Sequence, residues 1–108
     1  MKLIDYEKED LSRGTVLVVP RDPDPCFLEK EYYFMICEYP YTHRDDQAPF
    51  ALYNVKGYYA GTLQFIFPKE AITKTPHTAA ISRTWIIENF KKYIYQQDVE
   101  KVEIYEET

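Results

Sequence analysis

The sequence predicts an α+β fold, a curved antiparallel sheet or small SH3-like open barrel with one helix over about residues 82–95 and a closing strand behind it. Three observations lead there. Runs of strand length, rich in β-branched and aromatic residues, recur between residues 16 and 67. One stretch near the C-terminus has helical periodicity. Strands and helices do not alternate as βαβ units would, so the sheet has no crossover helices to make it parallel. A flat sheet under a helix is the second arrangement this pattern allows.

The first strand follows Gly14, where TVLVVP closes at Pro20. RDPDPC comes next and must be a loop, because proline lacks a ladder donor and aspartate favours local turns. EKEYYFMICEY, residues 29–39, is the second strand, and its ring-rich middle suggests cover on both faces. Tyr39, Pro40 and Tyr41 open THRDDQAP, which is too polar to bury and reads as the longest loop. FALYNV (50–55) and TLQFIF (62–67) flank KGYYAG, two glycines around two tyrosines at hairpin spacing. In the second arm Leu63, Phe65 and Phe67 alternate with Thr62, Gln64 and Ile66, giving one apolar face, and Pro68 ends it.

Residues 69–81 read as an irregular connection. Ser82 is a fitting N-cap for a helix through about Tyr95, with Ile86, Phe90 and Ile94 at steps of four and Ile87 and Tyr93 flanking them. Thr84, Glu88, Lys91, Lys92 and Tyr95 take the polar side; Trp85 and Asn89 lie one turn apart on the edge, and Trp85 reads as structural. VEKVEIYEE supplies the last strand through Val99, Val102 and Ile104.

One domain, 1–108, is the expectation for 108 residues, and 45% hydrophobic content is enough to line one core. Eleven tyrosines, six phenylalanines and one tryptophan exceed what so small a core needs, so some rings must reach the surface, where tyrosine is enriched at binding sites. Thirteen basic against eighteen acidic residues, net −5, oppose a phosphate backbone and argue against nucleic acid as partner. Residues 98–108 hold five acids against Lys101, a local −4, while residues 69–95 hold five cations against two acids, +3. MKLIDYEKED lacks the apolar run of a secretory signal, and no stretch approaches the ~18 apolar residues of a membrane span. A cytoplasmic chain with no membrane partner and reduced thiols is expected.

Chemistry is sparsely represented. Cys26 and Cys37, with ten residues between them, match neither a zinc pair nor a CxxC redox site, and Asp22 and Asp24 would raise the pKa of Cys26 rather than activate it. His43 and His77 stand 34 positions apart in polar loops, outside any HxxxH or HExxH spacing. Three glycines form neither GxGxxG nor GxxxxGK, which leaves nucleotide binding without support. No catalytic group, metal or cofactor is expected. Asp45 and Asp46, beside His43 and Arg44, and the Asp22 and Asp24 loop are the densest acidic loop clusters; on one face with the acidic tail they would present carboxylates to a basic partner.

RGTVLVVP, the Gly-Tyr turn leading through AGTLQFIFPKEAI, and ISRTWIIENFKKYIY together resemble one of the immunity-protein families of bacterial polymorphic toxin systems, the family numbered forty-five, over most of residues 12–105. The resemblance implies a non-enzymatic protein made beside a toxin and binding its C-terminal domain. Tyr58 and Tyr59 at the hairpin turn, Asp45 and Asp46 in the long loop, and Asp22 and Asp24 in the proline loop are the residues expected at that interface. Two rivals stand beside it: a small barrel module holding a small ligand or peptide in an aromatic-lined pocket, and an enzyme using His43 or His77 against a nearby carboxylate.

Overall fold

The computed structural model describes residues 1–21, 30–39, 47–74 and 79–105. β-branched and aromatic residues supply its main sheet: β2 (Val16–Pro20), β3 (Glu31–Glu38), β4 (Gln47–Asn54) and β5 (Leu63–Pro68), preceded by a two-residue β1 (Asp10–Leu11). Later come β6 (Ile72–Lys74), β7 (Ala79–Ser82), the helix α1 (Arg83–Asn89) and β8 (Glu103–Ile104). The main sheet is five-stranded and antiparallel in the order β5-β4-β3-β2-β8. Its edges, β5 and β8, do not pair with each other, so no barrel closes, and the fold is the expected α+β arrangement of a curved antiparallel sheet with one helix near the C-terminus.

Strand periodicity divides β3 between two faces. Phe34 and Ile36 are fully buried and meet Leu17, Leu52, Phe67, Ile86, Phe90 and Ile94 in one cluster that also takes in Leu3, Leu11, Ile81 and Val102. Among the described residues, the helix and the second set of short strands cover the sheet on this side. Removing each such side chain from water contributes roughly 1.5–3 kcal/mol.

Residues 69–81, expected to be irregular, contain a 3₁₀ turn (Lys69–Ala71), β6 and β7, and these strands form a second antiparallel sheet in the order β1-β7-β6. The pairing Asp10↔Ser82 and Leu11↔Ile81 joins the start of the chain to the start of the helix, a contact that no local pattern announces. The polar stretch expected as a loop through Pro49 becomes strand from Gln47 onward. Ala48 is fully buried, and Pro49 contributes its carbonyl, accepting from the Tyr39 amide at 2.9 Å, where its missing N–H costs nothing.

The hairpin is where the sequence put it. Gly57 (φ 84°) and Gly61 (φ 90°) take left-handed conformations that a side chain would strain, and the Gly61 amide donates to the Asn54 carbonyl at 2.6 Å to close the turn. In β5 the expected alternation fails at one residue. Leu52 faces Phe65 but Tyr53 faces Leu63, so Gln64 is a bulge. That slip moves Leu63 onto the opposite sheet face, where it is 44% exposed, while Phe65 and Phe67 stay against the helix. The freed Gln64 amide donates to the Ile94 carbonyl at 2.8 Å.

Ser82 caps α1 as expected, its hydroxyl accepting from the Trp85 amide at 3.1 Å. The helix does not stay α-helical to its end: Phe90–Ile94 is a π turn closed by the Tyr95 amide on the Phe90 carbonyl at 3.1 Å. Ile86, Phe90 and Ile94 form the buried stripe. Tyr95, expected on the polar side, leaves the helix in extended conformation and packs edge-on against Tyr32 at 5.3 Å, because the wider last turn releases it toward the sheet. The closing strand is shorter than expected: Val99–Lys101 is a 3₁₀ turn, and only Glu103–Ile104 pairs with β2.

Candidate functional site

Since helix, small sheet and N-terminal turn share one side of the main sheet, the other side is built by the alternate strand residues. Register sets Val16 beside Met35, Val18 beside Tyr33, Met35 beside Tyr53 and Cys37 beside Ala51. Tyr33, Met35, Cys37 and Tyr53 are only half-buried there. The cover that the ring-rich middle of β3 suggested on both faces is found on one among the described residues.

On this uncovered face lies a groove of about 550 Å³, lined chiefly by Tyr6, Val16, Tyr33, Met35, Val55, Lys56 and Tyr105. Its aromatic walls are held in place by the backbone: the Tyr105 amide donates to the Val16 carbonyl and the Val55 amide to the Tyr33 carbonyl, both at 2.9 Å. The rings of Tyr33 and Tyr105 meet edge to face at 6.1 Å, and the Lys56 ammonium lies 4.6 Å from the Tyr33 ring centre. Tyr105 is 50% exposed and Val55 40%. A smaller hollow of about 260 Å³ shares Tyr33 and Lys56 and extends past Lys30 and Glu31 to Gly57.

Gly57 leads into the expected tyrosine pair. Tyr59 is half-buried, tilted against Tyr32 at 6.3 Å with the Arg21 guanidinium 5.8 Å away, and its carbonyl accepts from the Thr62 hydroxyl at 2.7 Å. Tyr58 stands edge-on to it at 5.2 Å and is 74% exposed, the largest value among the exposed large apolar side chains. One ring is anchored and the other presented.

Asp22, Asp24, Asp45 and Asp46 lie outside the described residues, as do Cys26, His43 and His77. Their flanks are placed: Arg21 and Lys30, joined by a 2.9 Å backbone bond, stand at the same sheet end as the hairpin turn, whereas Tyr39 and Gln47 stand at the other.

Sequence reasoning missed Tyr33, Val55, Lys56 and Tyr105. A signal existed: a single amphipathic helix can cover one face of a sheet, so apolar residues on both faces of β3 already imply an exposed face. Trp85 is structural as read, stacked between Phe65 (6.0 Å) and Tyr93 (6.4 Å). The charge asymmetry is partly self-contained, since Lys91 pairs with Asp98 at 3.2 Å on the surface.

Chemically, the face offers rings, aliphatic groups and one ammonium. Among the described residues no group of three or more His, Cys, Asp or Glu could hold a metal ion, and no helix is long and apolar enough to cross a membrane. The Cys37 thiol is pushed above the ordinary range by burial, which suppresses its thiolate. In a Cys26→Ser background, Cys37 is therefore expected to alkylate with iodoacetamide at pH 7.5 more slowly than free cysteine in the same buffer; an equal or faster rate would contradict that burial.

No curated protein and no solved structure matches the chain significantly. The family model described as Immunity protein 45 matches residues 3–104, nearly the whole chain, including the segments that carried the resemblance. On that match, the chain belongs to the Immunity protein 45 family.

Proposed function

We propose that this chain is a non-catalytic immunity protein that binds the C-terminal domain of a cognate bacterial toxin and neutralises it in the cytoplasm. The uncovered, tyrosine-lined sheet face, on a chain of this family, is the observation that carries the reading. Affinity in such interfaces comes from a few desolvated aromatic anchors, and charges set the encounter rate. Tyr58 and Tyr59 offer a presented ring on an anchored base beside that face, and Asp22, Asp24, Asp45 and Asp46 are the acids we assign to steering the partner.

The test is co-expression with the toxin domain encoded beside this chain. Growth is expected to be restored and the two proteins to co-purify in a fixed ratio. Growth arrest in the presence of folded chain, with no complex formed, would overturn the reading.

A groove of about 550 Å³ also falls within the range of small-ligand sites, which keeps the ligand or peptide module as a second reading. Such sites orient their ligand with a few convergent polar groups. The buried Asn54 Oδ1, Thr73 Oγ1 and Arg83 Nε, polar atoms without hydrogen-bond partners among the described residues, all belong to residues outside the lining. This favours a protein partner.

A further inference from the structure

We propose that the groove beside Tyr33 and Tyr105 is the toxin's docking seat and that it takes an apolar side chain of the toxin with an acidic residue next to it. The inference rests on the proposed function and adds which surface binds and what chemistry it selects.

The apolar half of the claim follows from the lining. Val16, Met35 and Val55 offer aliphatic surface between two tyrosines already ordered by their contact at 6.1 Å, so seating a side chain there costs little further entropy. The acidic half follows from charge. The chain carries net −5, yet among the described residues the only charged one lining the groove is Lys56. The hollow that continues it holds Lys30 and Lys56 against Glu31 alone. Lys56 rests on the Tyr33 ring, and no carboxylate among the described residues pairs with it. A carboxylate arriving there meets an ammonium already held in place by the ring.

A second copy of this chain fits the groove less well. A two-fold contact brings the same patch against itself, and here that sets Lys56 near Lys56 with no acid among the described lining residues to separate them.

The experiment measures affinity for the purified toxin domain by titration calorimetry, for the native chain, Tyr105→Ala, Lys56→Glu and Tyr93→Ala. Tyr105→Ala is expected to weaken binding roughly 30-fold or more, the effect of losing an aromatic anchor. Lys56→Glu is expected to weaken it about tenfold through slower association, and added salt should narrow the gap. Tyr93 is 51% exposed, close to the 50% of Tyr105, but stands on the helix side away from the groove. Tyr93→Ala is expected to bind as the native chain does, within about twofold. Because Lys56 is an exposed side chain, its variant keeps the test decisive even where Tyr105→Ala does not fold.

Native affinity in both groove variants, with a complex still formed, would overturn this inference and leave the proposed function standing. A self-associating native chain whose dimer Tyr105→Ala breaks without changing toxin affinity would also overturn it, giving the face to a second copy. No complex with the native chain would overturn the proposed function and this inference together.

Discussion

Phe34→Ala is expected to lower the free energy of unfolding by about 3–5 kcal/mol, the usual range for emptying a fully buried phenylalanine site. Phe34 is inaccessible to solvent in the central strand β3, stacked on Tyr32 at 5.4 Å and paired in register with Leu17 and Asn54. Its cluster holds the buried helix residues Ile86 and Phe90, so the cavity opens where sheet and helix meet. The chain has one tryptophan, Trp85, stacked on Phe65 at the same junction, and its emission during urea unfolding reads the loss directly. Tyr33→Ala, one residue away on the uncovered face, supplies the contrast: it is expected to cost less than half as much stability and to fall mainly on partner binding. Equal losses at both positions would show that the two sheet faces are buried alike, against the assignment of one as a docking face. A domain of this kind has a total stability of roughly 5–15 kcal/mol. Phe34→Ala should therefore protect poorly in cells through low abundance, with no part in the interface.

That neighbouring residues face opposite sides of the sheet explains what could be read from the sequence and what could not. TVLVVP, YYFMICEY and the arms around KGYYAG announced β2 to β5 because each is a long enough run to bury a face, and positive-φ glycines marked the turn. Ser82 and the spacing of Ile86, Phe90 and Ile94 announced the helix. The second sheet was invisible because β1, β6 and β7 have two, three and four residues, too few for periodicity, and because the register Asp10↔Ser82 is non-local. Leu63 was assigned to the wrong face because a bulge inverts alternation without a sequence mark of its own. At the candidate site, Tyr58 and Tyr59 could be named because turn glycines bracket them. Tyr33 and Tyr105 could not, since Tyr33 sits in an apolar run and Tyr105 follows Ile104 among glutamates, and the exposure of each depends on which face the helix covers. Only packing decides that.

Acidification is expected to loosen the chain first where its N-terminal segment meets the helix, through Glu9. The Glu9 carboxylate accepts from the Thr84 amide at 2.6 Å and the Thr84 hydroxyl at 2.7 Å, with the Ser82 hydroxyl at 3.3 Å. It thus satisfies donors at the helix start that lack intrahelical partners, from a position far away in sequence. Partial burial raises its pKa, but the hydrogen bonds from Thr84 and Ser82 and the charge of Arg83 outweigh this and leave it below the usual glutamate value. The sign follows from linkage. With the folded pKa depressed, the unfolded chain binds the proton first, so the contribution is complete above the ordinary carboxylate range, about 4.3, and is lost as pH falls through the lower folded value. Glu9→Gln keeps the shape without the charge and is expected to lower stability at pH 7 by about 1 kcal/mol, a figure reduced for solvent screening. Urea midpoints from pH 7 to about 3 should show the gap between native chain and variant closing on the acid side. A gap that stays constant, or widens, would contradict the role. Tyr6 lies three residues before Glu9 and lines the groove, so the carboxylate that caps the helix also holds the segment bringing one aromatic wall to the uncovered face.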